Sequence, residues 1–324
     1  MTSVEWLFPT NVEGAVGALA EGGQAVAGGT TVFDLLKLGH ALPRRLVDIS
    51  RLPLGKIEEL PRSLSIGALC SNTSVANSPA VRLAFPVLSQ AILAGASQQI
   101  RNAASVGGNI LQATRCQYFR TTDFACNRRS PGSGCEALRF PTHAHAILGT
   151  NPQCIAVHPS DMVVALTALD ATVHARSQDG DLAIPIVSFY ARPDQPRNQA
   201  TLLPSQALVT AVDIPYSESG RRSGYLKLRT RASYEFATVS VAAGLSIRSD
   251  RVASVAVALG GVGTRPWRRK DAEQLLVGEK LDMHLIDRFC DILLAGADLR
   301  PATEHKLALS RGAVHRVLRT LGIQ

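Results

Sequence analysis

Apolar positions recur along this chain with two periods, and the switches between them outline its elements. From Val12 to Glu21 small and apolar residues recur at the spacing of a short amphipathic helix. Gln24-Ala25-Val26-Ala27 reads as a strand running into Gly28-Gly29-Thr30-Thr31. A second helix is predicted from Val32 to Leu38 with Gly39 as its stop, and Leu46-Val47-Asp48-Ile49 is the next strand. That order is a small parallel α/β unit. Residues 57–69 carry a strand region with alternation at Leu64-Ser65-Ile66-Gly67-Ala68, and Asn72-Thr73-Ser74 caps a short helix. Val87, Leu88, Ala91 and Ile92 place a longer helix between Pro86 and Ala96, and a second glycine turn runs from Ser105 to Asn109.

Further on, Met162 to Leu169 is an apolar helix, followed by strands at Ala171–Ala175, near Ile184-Pro185-Ile186, and at Ala207–Ile214, the last ended by Pro215. The polar stretch Ser217–Ser223 marks a boundary. Beyond it Gly224–Thr230, Ala237–Ile247 and Arg251–Leu259 read as three antiparallel strands, the last two joined tightly through Arg248-Ser249-Asp250. Helices are predicted over Lys270–Leu276, His284–Leu294 and Thr303–Leu321.

Composition narrows the class. An apolar fraction of 46% and a charged fraction of 19% are globular values, and 324 residues suffice for two or three domains. No apolar run approaches the roughly 20 residues of a membrane span. Met1 to Trp6 lacks the basic and apolar regions of a signal peptide, so a cytoplasmic chain is expected; a signal-bearing partner would be its route to the periplasm. Lys and Arg outnumber Asp and Glu by 34 to 26, a formal charge of +8. Aromatics are only 5% and interleave with no basic stripe, which argues against nucleic acid and for an acidic partner face or simple solubility.

Candidate chemistry lies in the two glycine turns and the cysteines. Gly28-Gly29 lets the backbone come close to a ligand, and successive N–H groups at a helix start suit a phosphate. The turn has neither Gly-x-Gly-x-x-Gly nor Gly-Lys-Ser/Thr, so alone it signals no more than a strand-to-helix connection. Cys70 and Cys290 stand apart as small apolar residues. Cys116, Cys126, Cys135 and Cys154 fall within 39 residues, separated by nine, eight and eighteen others. Disulfides do not suit a chain unmarked for secretion. Structural zinc usually takes tight Cys-x-x-Cys pairs. Wide spacing suits a loop wrapped around a larger object, an iron–sulfur cubane, with zinc or unligated core cysteines as the other readings. Arg115, Arg120, Arg128 and Arg129 would offset the charge of such a cluster. No Ser-His-Asp or paired-carboxylate arrangement appears, and His143 and His145 are expected to be exposed loop residues.

Together these features resemble one family. Ala27-Gly28-Gly29-Thr30-Thr31, Gln99-Ile100-Arg101-Asn102 with Ser105-Val106-Gly107-Gly108-Asn109-Ile110, Pro159-Ser160-Asp161, and Tyr225-x-Lys227-x-Arg229 look like the FAD-contacting segments of the flavin-binding medium subunit of the molybdenum hydroxylases, the xanthine dehydrogenase and aldehyde oxidoreductase family. The cysteine insertion of roughly 40 residues looks like that of bacterial aldehyde oxidoreductase flavin subunits, which hold a [4Fe-4S] cluster. The resemblance implies an α+β fold: a two-subdomain FAD-binding domain over residues 1–220, divided at about 55 into a small parallel α/β unit and a mixed or antiparallel sheet with helices, then a domain over 221–324 of three antiparallel strands and three helices. The insertion would span about 114–158.

It implies that FAD is held by Val26, Ala27, Gly28, Gly29, Thr30, Thr31, Val32, Arg101, Ser105, Gly107, Gly108, Asn109, Leu111, Ser160, Asp161, Val209 and Lys227, with Asp161 on a polar part of FAD and Lys227 near the flavin ring. Cys116, Cys126, Cys135 and Cys154 would hold the [4Fe-4S] cluster, with both ends of their loop anchored at the FAD. The implied role is electron transfer. A large subunit with a molybdenum cofactor hydroxylates an aldehyde with oxygen from water. A small [2Fe-2S] subunit passes the electrons on, and this chain delivers them to an external acceptor. Rivals are a 4-hydroxybenzoyl-CoA reductase flavin subunit, which carries an analogous insertion, a self-sufficient FAD oxidase, and a non-redox interaction subunit with a zinc-stapled loop.

Overall fold

The structure, a computed structural model, describes residues 4–40, 43–191 and 200–322. The start of the N-terminal stretch considered above, residues 1–3, lies outside the described residues. The elements build three sheets in chain order.

The first sheet contains β1 (Glu5–Leu7), β2 (Gln24–Val26) and β3 (Arg45–Asp48), with α1 (Val12–Ala20) and α2 (Val32–Lys37) between them. It is parallel, in the order β1-β3-β2. Sequence analysis missed β1, whose three residues are too few to show a period. It forms against the free edge of β3, where Arg45 ion-pairs with Glu5 directly opposite at 2.8 Å and with Glu21 at 2.7 Å.

The second group opens with β4 (Ile57–Glu59) and β5 (Ser63–Gly67), then a run of helices: α3 (Asn72–Asn77), α4 (Pro79–Ala84), α5 (Pro86–Ala94), α6 (Gln98–Ala103), α7 (Val106–Ile110), α8 (Gln117–Arg120), α9 (Glu136–Arg139) and α10 (Asp161–Ala168). It ends with β6 (Thr172–Ser177), β7 (Gly180–Pro185), α11 (Ile186–Phe189) and β8 (Leu208–Pro215). The five strands pair antiparallel in the order β4-β5-β8-β6-β7. The expected second glycine turn is instead the first turn of α7, capped by Ser105 Oγ accepting from the Gly108 N–H at 3.2 Å. Gly107 is closely packed there. Its N–H donates to the Ala68 carbonyl at 2.8 Å, and a Cβ on it would lie 3.2 Å from that of Ala68.

The third group is α12 (Glu218–Arg221), β9 (Ser223–Leu228), β10 (Val239–Arg248), β11 (Arg251–Gly260), α13 (Lys270–Gln274), α14 (Met283–Leu293) and α15 (His305–Gly322), its strands antiparallel in the order β11-β10-β9. β10 is covered on both faces, and its alternation shows by what. Val241, Ala243 and Leu245 join the core made with α14 and α15, while Ala242 joins Ala256 and Ala258 in the core that holds α10. Small residues on that second face let α10 lie against the sheet. Every residue of α10 after Asp161 is buried, as befits a helix apolar all round. No helix among the described residues is long and apolar enough to cross a membrane.

The cysteine segment has an attachment besides its two expected ends. It runs from α7 to α10, and before reaching α10 it is stitched to the third group. The Ile147 and Leu148 N–H groups donate to the Val262 carbonyl at 2.8 and 3.0 Å, the His158 N–H to Gly263 at 3.1 Å, and the Asp298 N–H to Ile147 at 2.7 Å. Ile147 and Leu148 are core residues of the α14–α15 cluster. Lys306 of α15, fully buried, donates from Nζ to the carbonyls of His145 at 2.8 Å and Gly261 at 2.7 Å.

Burial lowers the pKa of Lys306 from 10.5 to about 7. Between those values the unfolded chain holds a proton that the folded chain has released, so this residue's contribution to stability rises with pH. The difference in unfolding free energy between wild type and Lys306→Met is expected to be flat below pH 7 and to grow in favour of wild type up to pH 10. Urea unfolding of both proteins across that range measures it; a constant difference refutes the assignment.

Candidate functional site

A cavity of about 440 Å³ opens where the three groups meet. Thr30 and Thr31 enter from the first glycine turn, Gly108 and Asn109 from α7, Ser160 and Asp161 from the start of α10, and Lys227 from β9. Ser160 joins two of these parts. Its Oγ accepts from the Val163 N–H at 3.1 Å, capping α10, and donates to Asn109 Oδ1 at 2.6 Å. Gly28 sets the distance of the first turn from the rest: a Cβ there would lie 1.7 Å from the Ala103 carbonyl oxygen, at the end of α6. Gly29 follows at φ +70°, a left-handed conformation suited to glycine.

Asp161 and Lys227 meet across the cavity wall. Lys227 Nζ donates to Asp161 Oδ2 at 2.7 Å, and the Tyr225 hydroxyl donates to Oδ1 at 2.6 Å. The two side chains are 9% and 4% exposed, so this is a buried pair rather than a surface bridge. Burial, followed by the neighbouring Asp161 charge, holds the Tyr225 hydroxyl well above the ordinary phenol value. Lys227 also reaches the Ala94 carbonyl at the end of α5, 3.2 Å away. Each charge therefore sits at the helix end of opposite sign, carboxylate at the start of α10 and ammonium at the end of α5.

A second charged group links the cavity to the cysteine loop. Asp34 of α2 accepts from Arg115 Nη1 at 2.8 Å and from Arg120 Nη2 at 2.7 Å. Its pKa is lowered, chiefly by the Arg120 hydrogen bond. All three side chains line the cavity. These arginines therefore answer Asp34, whereas sequence analysis had them offsetting a cluster. Arg129 instead gathers the carbonyls of Tyr118, Phe119, Thr121, Thr122 and Phe124, closing the loop on itself.

The four cysteines are free thiols drawn into one region. Cys126 and Cys135 pair through an antiparallel bridge, and Cys116 and Cys135 pack on Tyr118, Ala137 and Ile155. Burial pushes the Cys116 thiol up to about 11, with further contributions from Cys154 and Cys126; Cys135 is raised by burial and by Cys154. Among the described residues the thiols do not close on a single metal ion. His145 corrects the expectation of an exposed loop residue. It is 1% exposed, and its Nε2 lies 3.4 Å from Cys116 Sγ, while His143 is exposed. Burial lowers the His145 pKa to about 4.

The sequence-derived site residues divide into two sets. Thr30, Thr31, Arg101, Gly108, Asn109, Ser160, Asp161 and Lys227 line the cavity. Val26 and Val209 are buried strand residues, Ser105 and Gly107 are buried at the start of α7, and Leu111 is exposed. Those five, with Ala27, Gly28, Gly29 and Val32, do not line it; the two glycines shape the turn from behind. The structure adds Asp34, Asn72, Gln112, Arg115, Arg120 and the Tyr234-Glu235-Phe236 segment to the wall. Asn72 is 4% exposed, and its Oδ1 has no hydrogen-bond partner. A buried acceptor left open on a cavity wall fits a bound molecule with a donor to offer.

Comparison with known proteins matches two family models in tandem: the FAD binding domain in molybdopterin dehydrogenase over residues 2–217, and the CO dehydrogenase flavoprotein C-terminal domain over 224–321. The chain is 43% identical over 301 residues to the aldehyde oxidoreductase FAD-binding subunit PaoB of Escherichia coli, covering 92% of this chain and 91% of that one. It is 24% identical over 322 residues to the carbon monoxide dehydrogenase medium chain of Hydrogenophaga pseudoflava, covering 97% and 95%. Among solved structures, quinoline 2-oxidoreductase from Pseudomonas putida 86 superposes with a TM-score of 0.76 at 21% identity, covering 99% of this chain and 97% of that one.

Removing one partner of a buried ion pair leaves the other charge unanswered, at a cost of about 3–5 kcal/mol. Asp161→Asn and Lys227→Met are each expected to lose stability on that scale, and the double variant less than the sum of the two. A double-mutant cycle by chemical denaturation tests this; strict additivity would contradict a direct Asp161–Lys227 interaction.

Proposed function

The chain belongs to the family of FAD-binding subunits of the molybdopterin dehydrogenases, and from that premise we propose that it is the electron-transfer subunit of a molybdenum-dependent aldehyde oxidoreductase, carrying FAD in the cavity and a [4Fe-4S] cluster in the cysteine loop. The observation that carries the proposal is the composition of the cavity wall. Thr30-Thr31, Gly108-Asn109 and Ser160-Asp161 share it with Arg115 and Arg120, which flank Cys116. Cofactor site and cysteine loop are thus neighbours through Asp34. The aldehyde substrate class is taken from the name of the 43%-identical relative.

Bound FAD supplies the ability to take up electrons singly and release them singly or in pairs. The protein's part is to hold it and shape its surroundings. Thr30 and Thr31 at the start of α2, and Gly108 and Asn109 in α7, offer backbone and side-chain donors to the phosphate-bearing portion. Arg101 is held beside them by the Gly95 carbonyl at 2.7 Å. Lys227, fixed by Asp161, keeps a positive charge at the wall where the flavin would gain negative charge on reduction. Oxidation of the organic substrate belongs to a large partner subunit with a molybdenum cofactor. A small [2Fe-2S] subunit brings the electrons here, and an external acceptor removes them.

For the cluster, the support is the chemistry of the donor set: four cysteines of one loop, none in a disulfide, two of them already accepting N–H···S contacts, Cys154 from Ala156 at 3.4 Å and Cys116 from His145.

Two measurements test the proposal. Per copy of this chain, the purified complex is expected to contain one FAD, four irons and four acid-labile sulfides. Cys126→Ala should lose the iron and retain FAD. Zinc in place of iron refutes the cluster, and absence of FAD refutes the whole. Gly28→Ala, which drives the first turn away from Ala103, should weaken FAD retention by about tenfold or more, corresponding to at least 1.4 kcal/mol. Unchanged FAD content after gel filtration would remove Gly28 from that role.

A further inference from the structure

We propose that His145 donates its Nε2 proton to the sulfur of Cys116 and thereby raises the reduction potential of the cluster in this loop, with Lys306 as the residue that holds His145 in place. The inference rests on the [4Fe-4S] reading above and concerns a residue outside the four thiols.

The tautomer follows from geometry. The Thr142 backbone N–H points at His145 Nδ1 at 2.8 Å. A backbone N–H can only donate, so Nδ1 is the acceptor and the neutral ring carries its proton on Nε2. That proton faces Cys116 Sγ, 3.4 Å away. Two further residues, Tyr118 and Lys306, keep the ring there. Tyr118 stacks on it with an interplanar angle of 8° and a centroid separation of 5.9 Å, and the Tyr118 hydroxyl is itself tied to the Phe140 carbonyl at 2.7 Å. Lys306 Nζ grips the His145 carbonyl at 2.8 Å and the Gly261 carbonyl at 2.7 Å, so the backbone of His145 is fixed from α15. A residue 1% exposed, with both ring nitrogens engaged, is positioned rather than merely packed.

A hydrogen bond to a cluster thiolate withdraws electron density from the sulfur. It stabilises the more negative, reduced cluster and shifts the potential upward. Cys154 receives the same kind of bond from its own loop, from the Ala156 N–H. What distinguishes Cys116 is that its donor is a side chain and can be exchanged.

The test is a redox titration followed by EPR on the full complex, comparing wild type with His145→Leu, which has no donor, and His145→Gln, which retains an N–H. At a fixed potential, the ratio of reduced to oxidised cluster should fall several-fold in the leucine variant; a tenfold fall is 59 mV for a one-electron couple. It should stay near wild type in the glutamine variant. Iron content is measured alongside. A leucine variant with full iron and an unchanged ratio overturns the proposal, as does a glutamine variant with full iron whose ratio falls as far as that of leucine. If leucine loses iron, a glutamine variant with full iron and the wild-type ratio supports it. Loss of iron from both variants would make His145 a ligand and overturn it. Wild-type complex without iron would instead refute the cluster reading on which the proposal stands.

Discussion

Asp161 and Lys227 face each other inside the protein, and the arrangement around the cavity depends on that pair. Taking two charges out of water costs several kcal/mol per ion unless their hydrogen bonds are nearly all replaced. Here Tyr225 and Lys227 donate to the carboxylate, the Ala94 carbonyl accepts from the ammonium, and both charges lie at helix ends of opposite polarity. The pair joins α10 and α5, which serve the five-stranded sheet, to β9, the edge of the three-stranded one. The position of the third group relative to the cavity is therefore set by a specific contact, while apolar packing around α10 supplies the bulk of the attraction.

Much of this was legible in the sequence, and the limits have physical causes. The helix α10 is a continuous apolar run and the paired strands β10 and β11 are long segments, and each expectation lies within two residues of the observed limits. Short elements did not declare themselves. β1 exists only because β3 offers it an edge, and the Ser105–Asn109 glycines were taken for a turn although Ser105 caps a helix there. The cavity wall was legible where contiguous residues supply it, as with Thr30-Thr31 and Ser160-Asp161. It was not legible where a partner arrives from afar. The Asp34 link to Arg115 spans 81 residues, and nothing local marks either end.

The same distinction explains His145 and Lys306. A histidine two places from another in a polar loop reads as solvent-exposed, and a lysine inside a helix reads as surface. Both are buried because each satisfies the other's neighbourhood: the lysine finds two carbonyls, and the histidine a backbone donor on one side and a sulfur on the other. The signal that could have revealed Lys306 is its place on the inner face of α15, one turn before Ser310, where an apolar residue would be usual.

The seam between the cysteine loop and the third group also bears on the order of synthesis. The His145 carbonyl meets an ammonium group 161 residues later in the chain, and Val262 and Asp298 complete the same border. A chain emerging from the ribosome folds N-terminal parts first, so the two earlier sheets can form while these partners are still unmade. The loop's final shape must wait for α15, which is translated long after it. A chain truncated before α15 would present its cysteines without the wall that orders them.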